Sequence, residues 1–305
     1  MRFSHWFGGL LAASALAMLV AVVGCGGGAD KGKTGGTSDG KPKDDGGTKT
    51  VGPATPLEGK GTATLKGKVT YDGADAPKAK DVAEIKGHPD GPYCLKEDPK
   101  NPDPAKDRVW VVKDGNVANV AIWVRPPAGK YFKFSEEDKK SWPKDVKVDQ
   151  PFCHFEPHVS VAFPKYFEAD PKKGIETGQK IEVDNSATIS HNTKWKGDDR
   201  KVTPGNETIA AKGHRDLALE PDWSTPVRLN CDIHKWMEGY IWVLPTPYAA
   251  VTKEDGTFEI KGIPAGAEVQ VVTWHEASGF GAGGKDGQKM TLKDGETKEL
   301  NFKVK

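Results

Sequence analysis

Ten short runs of β-branched and aromatic residues constrain the fold of this chain more than any other sequence feature. Within the runs, apolar residues either alternate with polar ones or follow one another, and both patterns are typical of strands. Asp-Gly pairs, which favour tight hairpin turns, separate several runs. The sequence therefore predicts an all-β fold made of packed sheets. The runs span residues 63–71, 109–112, 116–124, 159–163, 180–183, 226–230, 239–244, 257–260, 268–274 and 299–304.

One helix is predicted beside these strands. Ser135 is a suitable N-cap because Asp138, three residues later, can complete a weak capping box, and Pro143 is expected to end the helix soon afterwards. Residues 75–107 and 164–178 show no clear strand pattern, and we expect them to be irregular insertions.

The charge balance excludes two classes of partner. The chain has 44 Lys and Arg against 43 Asp and Glu, a formal net charge of +1. Nucleic-acid binding relies on a basic surface, as does the binding of a protein segment to anionic lipid headgroups. We therefore expect no nucleic-acid partner and no polybasic membrane patch.

Residues 1–25 read as an export signal. A cationic start at Arg2 precedes an apolar run that is shorter than the roughly 20 residues of a membrane-spanning helix. The run ends at Val23 and is followed by Gly24 and Cys25, and residues 22–25 resemble the lipobox of bacterial lipoproteins, in which the cysteine carries the lipid. The resemblance implies a protein anchored to a bacterial membrane and facing the periplasm or the cell exterior. A plain signal peptide or a membrane anchor is the alternative.

Residues 26–60 are expected to form a disordered linker. They contain eleven glycines and no aromatic residue, so they cannot bury enough apolar surface to fold. Such a linker would let the folded part move above the membrane surface.

Residues that can bind a metal ion occur in two nearby segments of the chain. Cys231, His234 and Met237 follow one another at intervals of three between two strand runs, and His191 closely follows another run. Two imidazoles, a thiolate and a weak thioether are the ligands of a type 1 copper site. Zinc also accepts two imidazoles and a thiolate but has little use for a thioether. Alternatively, Trp236 and Met237 are core residues and Cys231 belongs to a disulfide.

These segments resemble the cupredoxin, or blue-copper, family. Residues 231–237 are similar to the ligand loop of the amicyanin type, with Trp236 at an aromatic position, and residues 239–243 look like the last strand of the family. Residues 185–192 are similar to the plastocyanin-type segment that provides the first histidine. The region from Cys153 to Glu276 also looks like exported bacterial proteins of the methylamine-utilisation type.

The resemblance assigns a role to each residue. It implies a Greek-key sandwich with one mononuclear copper ion, held equatorially by His191, Cys231 and His234 and axially by Met237. It also implies that Asn192 connects the two ligand loops.

With Cys231 taken as a ligand, two cysteines remain in the folded part. An odd thiol in an oxidising compartment calls for an explanation, and once Cys231 is assigned to the metal, Cys94 and Cys153 are left to pair as a disulfide.

A second metal site is a weaker hypothesis. His154, His158 and His275 could supply three imidazoles. Positions four apart on a strand share a face but are separated by roughly 13 Å, too far for one ion unless Pro157 turns the chain. We therefore do not expect this site.

The chain ends resemble a different family. Residues 251–260 and 263–266 are similar to the carboxypeptidase regulatory-like module, a transthyretin-like sandwich, and residues 65–73 look like its first strand. We therefore expect the cupredoxin-like part to be inserted in, or joined to, this second sandwich. The expected parts are a signal peptide at 1–25, a linker at 26–60, first strands and an insertion at 61–144, a cupredoxin-like domain at 145–247 and closing strands at 248–305.

The sequence favours single-electron transfer to a protein redox partner, with an exposed His234 as the exit point. A copper carrier or sensor is one alternative. A structural or carbohydrate-binding lipoprotein of the cell envelope, with glycan as its partner, is another. An enzyme is not expected, because four protein ligands leave no open metal position for a substrate.

Overall fold

Strands dominate the part of the chain that the computed structural model describes, which comprises residues 53–99, 101–142 and 144–305. The helices of this part are short: α1 (Glu84–Gly87), α2 (Gly91–Cys94), α3 (Glu136–Lys140) and a 3₁₀ helix at Gly284–Asp286. None of them is long and apolar enough to span a bilayer. The all-β class predicted from the sequence is confirmed.

The strands fall into an N-terminal, a middle and a C-terminal group. The N-terminal group contains β1 (Thr55–Pro56), β2 (Thr62–Tyr71), β3 (Val112–Lys113), β4 (Asn116–Val117), β5 (Ala121–Arg125) and β6 (Lys130–Tyr131). The middle group contains β7 (Asp145–Asp149), β8 (Val159–Ala162), β9 (Lys165–Phe167), β10 (Gly174–Glu176), β11 (Lys180–Asp184), β12 (His191–Lys196), β13 (Gly205–Ile209), β14 (His214–Asp216), β15 (Val227–Asn230) and β16 (Glu238–Val243). The C-terminal group contains β17 (Ala249–Val251), β18 (Thr257–Pro264), β19 (Glu268–His275), β20 (Gly279–Phe280), β21 (Gln288–Thr291), β22 (Thr297–Glu299) and β23 (Phe302–Val304).

The middle strands build one sandwich, which we call the site sandwich. Its larger sheet has the order β13-β12-β15-β16-β8, and its smaller sheet has the order β14-β11-β7. The apolar side chains of the two sheets, such as Ile181, Leu229 and Ile241, share one buried core. Strands β16 and β8 pair in parallel. Strand β15 pairs antiparallel with β12 on one side and with β16 on the other.

Strands from both ends of the described chain build a second sandwich, the terminal sandwich. One sheet has the order β17-β5-β19-β20, with β21 also paired to β19. The other has the order β18-β2-β4-β3, with β22 and β23 also paired to β2. Leu65 of β2 and Ile122 of β5 lie without solvent contact in the core between these sheets. The boundaries 144/145 and 247/248 expected for the inserted domain remain predictions.

The two sandwiches pack back to back through tryptophans. In β5, Trp123 points to the seam while its neighbours Ile122 and Val124 point into the terminal core. In β16, Trp242 points to the same seam while Ile241 points into the site core. The rings of Trp123 and Trp242 lie 4.5 Å apart, between centroids. Because successive side chains of a strand point to opposite faces, β5 and β16 each contribute to the seam with one face and to the core of a sandwich with the other.

Several predicted elements differ in extent. The run 116–124 is divided into β4 and β5 because Asn119 has a φ of 60°, which interrupts the extended backbone. Of the run 109–112, only Val112 joins a strand. The segment 164–178, expected to be irregular, contains the hairpin β9-β10. The segment 75–107 contains the two single-turn helices α1 and α2.

The predicted helix start is observed. Ser135 caps α3, its hydroxyl accepts the backbone N–H of Asp138, and the Asp138 carboxylate accepts the backbone N–H of Ser135. The expected helix stop, Pro143, lies outside the described residues.

The linker expected at residues 26–60 extended too far toward the C-terminus. The last part of the expected linker, residues 53–60, is placed against the fold, and β1 pairs with β6 in parallel. Residues 26–52 and the expected export signal lie outside the described residues.

The terminal core should respond strongly to loss of packing. Leu65→Ala removes a fully buried side chain and leaves a cavity, so we expect unfolding to become easier by about 2–5 kcal/mol, measured by urea denaturation. Lys66→Ala, on the exposed face of the same strand, is the matched control and should change the value little. Equal effects of the two variants would contradict this core assignment.

Candidate metal centre

Two neighbouring strands deliver the three expected equatorial ligands to one place. His191 is the first residue of β12, and Cys231 and His234 lie in the loop that connects β15 to β16. Because β12 and β15 are antiparallel, with Lys194 opposite Asn230, the start of β12 extends alongside that loop. Strand pairing thus brings together residues that are some 40 positions apart in the sequence.

The three ligand atoms face one another in a buried space. Nδ1 of His191 is 2.9 Å from Nδ1 of His234, and Sγ of Cys231 is 3.9 Å from the same His234 atom. All three side chains are almost entirely buried, at 0%, 2% and 0% exposure for His191, Cys231 and His234. Ligand atoms bound to one ion at about 2.0–2.3 Å lie about 3.3–3.8 Å apart, so small movements would fit this set to a metal.

The protonation of this set also suits a cation. Burial, and next the nearby His234, lower the pKa of His191 to about 4, and burial lowers the pKa of His234 as well. Both imidazoles are therefore neutral near pH 7, which is the form that binds metals. Burial raises the pKa of the Cys231 thiol, although the backbone N–H of His234 donates to its sulfur over 3.3 Å. In the metal-free protein, one ring N–H must point at the other imidazole nitrogen, and a metal ion would take the place of that proton.

Asn192 connects the two ligand segments. Its Oδ1 accepts the backbone N–H groups of Asp232 at 2.6 Å and Ile233 at 3.1 Å, and the thiol of Cys231 at 3.2 Å. Its Nδ2 donates to Oδ1 of Asn206 at 2.6 Å. Asn192 therefore occupies the bridging position that the family resemblance implies.

The remaining predicted residues lie around the same site. Met237 is fully buried in the core that contains Cys231, and its backbone N–H donates to the carbonyl of His234 at 2.9 Å. The Trp236 ring packs beside that of His234, with 5.2 Å between centroids, and its indole N–H donates to the carbonyl of Cys153.

The expectation that His234 is exposed was wrong. The segment 84–94, comprising α1, α2 and their connection, covers it, and we call this segment the cap. Oδ2 of Asp90 lies 3.1 Å from Nε2 of His234, and the ring of His88 lies 4.8 Å from the His234 ring. Sequence reasoning missed both cap residues because residues 75–107 carry no periodic pattern. The only local signal was the polar sequence His-Pro-Asp at 88–90.

A disulfide between Cys94 and Cys153 fastens the cap to the site sandwich. Cys94 is the last residue of α2, and the hydroxyl of the preceding Tyr93 donates to the carbonyl of Pro151 at 3.0 Å. Both sulfurs lie within 4.8 Å of a ring nitrogen of His234. Cys231 remains a free thiol.

The three histidines weighed for a second metal site have other contacts. His158 is hydrogen-bonded to Glu276, His154 lies 3.4 Å from the guanidinium of Arg108, and His275 packs against the ring of Trp110. Burial, and next Arg108, lower the pKa of His154 to about 3. Within the described ranges, the groups of three side chains close enough to share one ion do not include this trio.

No protein-family model and no curated protein sequence matches this chain. Solved structures similar to part of it include a purple cupredoxin from Nitrosopumilus maritimus, at 12% identity, covering 32% of this chain and 99% of that one, with a TM-score of 0.24. A variant of amicyanin in its Cu(I) form has 13% identity, covering 39% and 97%, with a TM-score of 0.25.

The copper-containing nitrite reductase of Thermus scotoductus SA-01 has 17% identity to this chain, with a TM-score of 0.25. That match covers 33% of this chain but 22% of the reductase. At such TM-scores these likenesses carry no argument about the chemistry of this protein, which therefore rests on its own residues.

Loss of the Asn192 side chain should loosen the ligand loops. Asn192→Ala leaves two backbone N–H groups without their acceptor, so we expect unfolding to become easier by about 2–4 kcal/mol, measured by denaturant titration of the metal-free protein. Asn206→Ala removes the acceptor of the Asn192 amide group and a hydrogen bond to the exposed Asp232 carboxylate but leaves both backbone N–H groups bonded to Asn192, so it should cost less than about 1 kcal/mol. If Asn206→Ala cost as much as Asn192→Ala, the bridge to the ligand loop would not be the source of the stability.

Proposed function

We propose that this protein binds one copper ion, which His191, Cys231, His234 and Met237 would hold, and transfers single electrons. The observation that carries the proposal is the buried approach of two imidazole Nδ1 atoms and one cysteine sulfur. Two imidazoles and a thiolate, together with a thioether, are the donors of type 1 copper, and Met237 is buried in the same core as Cys231. The resemblance of the ligand loops to the cupredoxin family points in the same direction.

The chain contributes a rigid and dry environment to this chemistry. Copper, when bound, supplies a one-electron couple. Asn192 fixes the loop that carries two ligands, and the backbone N–H of His234 donates to the cysteine sulfur, so the ligands are already held near one another. Met237 and the surrounding core keep water away from the site. A site held in this way need change little between two oxidation states, which favours electron transfer over release of the ion.

We propose no catalytic role, because four protein ligands leave no open position for a substrate. A copper carrier must release its ion, and the buried ligands beneath a disulfide-fastened cap disfavour that alternative. A glycan-binding role would need accessible aromatic rings. Of the described tryptophans, Trp123 and Trp242 have no exposed surface, and the others are at most partly exposed.

The proposed setting is the outside of a bacterial membrane. Lipid on Cys25 would anchor the chain, and the linker would let the metal centre reach a protein redox partner in the periplasm or at the cell exterior. The lipobox-like sequence and the glycine-rich composition support this part of the proposal.

Copper loading of the full chain carrying Cys25→Ser, which leaves Cys231 as its free thiol, tests the central proposal. We expect Cu(II) to give an intense thiolate-to-copper absorption band and a narrow EPR hyperfine splitting, with about one copper per chain. Cys231→Ser in the same background should abolish the band, because the thiolate donates the charge in that transition. A colourless protein that binds Zn²⁺ at the same residues would contradict the copper assignment.

Membrane attachment has a separate test. In a bacterial host with lipoprotein processing, the chain should incorporate a labelled fatty acid and sediment with membranes. Cys25→Ser should abolish labelling and release the exported protein to the soluble fraction, whereas Ser38→Ala in the linker should change neither. Labelling that persists without Cys25 would contradict the lipoprotein assignment.

A further inference from the structure

The cap adds a carboxylate to the outer side of one ligand. A carboxylate ion can only accept hydrogen bonds, so the 3.1 Å contact between Asp90 and His234 requires the proton of that imidazole to be on Nε2. The lone pair of His234 is then on Nδ1, the atom that faces His191 and the sulfur of Cys231. The contact thus selects the tautomer that can bind an ion at the site.

The two histidines are unequal in this respect. Nε2 of His191 is buried and has no hydrogen-bond partner within the described residues. Of the two ligand histidines, His234 thus has a carboxylate against its Nε2, and His191 has none within the described residues. This carboxylate comes from a segment that is remote from both ligand loops in the sequence and joins the site through the fold.

The cap is built to hold Asp90 at this position. Asp90 is the N-cap residue of α2, and its own backbone N–H donates to Nδ1 of His88 at 3.1 Å. Gly91 lies so close to the carbonyl of Ile85 that any side chain would collide with it, which lets α1 and α2 fold tightly together. The far end of α2 is fastened by the disulfide at Cys94.

We propose that Asp90 is a positioning residue of the metal centre: it orients the His234 ring and favours the oxidised form of the bound ion. This inference rests on the proposed function. A negative charge one imidazole ring away from the ligand nitrogen stabilises Cu(II) more than Cu(I), because Cu(II) carries the larger charge. The hydrogen bond acts in the same direction, since it makes the imidazole a more basic ligand. The side chain of Asp90 is about one-third exposed, so solvent weakens the effect without removing it.

Asp90→Asn tests the charge, with Glu84→Gln as the matched control. Both variants remove one carboxylate from the cap, but Glu84 is exposed and lies at the start of α1. In the full copper-loaded chain, Asp90→Asn should lower the ratio of Cu(II) to Cu(I) affinity at least about tenfold, which raises the one-electron potential by about 59 mV. Glu84→Gln should shift it much less. Equal shifts in the two variants would overturn the proposal, because they would reflect only the net charge of the cap.

A second measurement does not depend on copper. In NMR spectra of the metal-free protein, the Nε2 proton of His234 should be observable and slow to exchange with solvent. Asp90→Ala should accelerate that exchange at least tenfold, and Asp90→Glu should restore part of the protection. Unchanged exchange in Asp90→Ala would contradict the contact. If wild-type protein gave no thiolate-to-copper band, the proposed function would fail, while this NMR result would still decide whether Asp90 orients His234.

Discussion

The burial of three polar side chains at one edge of a hydrophobic core is the constraint around which the site sandwich is arranged. His191, Cys231 and His234 have almost no contact with solvent, and a buried polar group without a partner costs about 1–3 kcal/mol. Specific hydrogen bonds offset this cost. Asn192 accepts from the ligand loop and from the thiol of Cys231, and Asp90 contacts Nε2 of His234. In the metal-free protein, the two imidazole nitrogens that face each other share one proton, and a bound metal ion would take its place.

The two sandwiches support this site in different ways. The site sandwich sets the separation of the ligand loops, because the register of β12 on β15 fixes where His191 lies relative to Cys231. The terminal sandwich packs on the back of the same sheet through Trp123, Trp242 and Trp274. A sheet buried on both faces deforms less easily than one that faces water, so the ligand loops are carried by a stiff support.

Much of the fold was accessible from the sequence because strand signals are local. Alternation, β-branched residues and Asp-Gly turns predicted β2, β8, β11, β15, β16 and β19 to within one residue at each end, whereas strands such as β7, β12 and β13 were not predicted. The errors have local physical causes. Asn119 adopts a left-handed backbone that divides one expected strand, and the hairpin β9-β10 is short and bears charged residues that hide its alternation. The three ligand residues were proposed from their residue types and their positions beside strand runs, whereas the role of Asn192 was implied by the family resemblance.

The sequence by itself determined the all-β class, the capping box at Ser135 and the spacing of Cys231, His234 and Met237, because each depends on residues only a few positions apart. Tertiary structure alone decided that the cap covers His234, that Asp90 contacts its Nε2, and that His154, His158 and His275 do not surround one ion. These outcomes depend on segments as much as 144 residues apart. A segment without periodicity gives no sign of where it will pack, since its position is set by a distant disulfide and by the polar groups that it must satisfy.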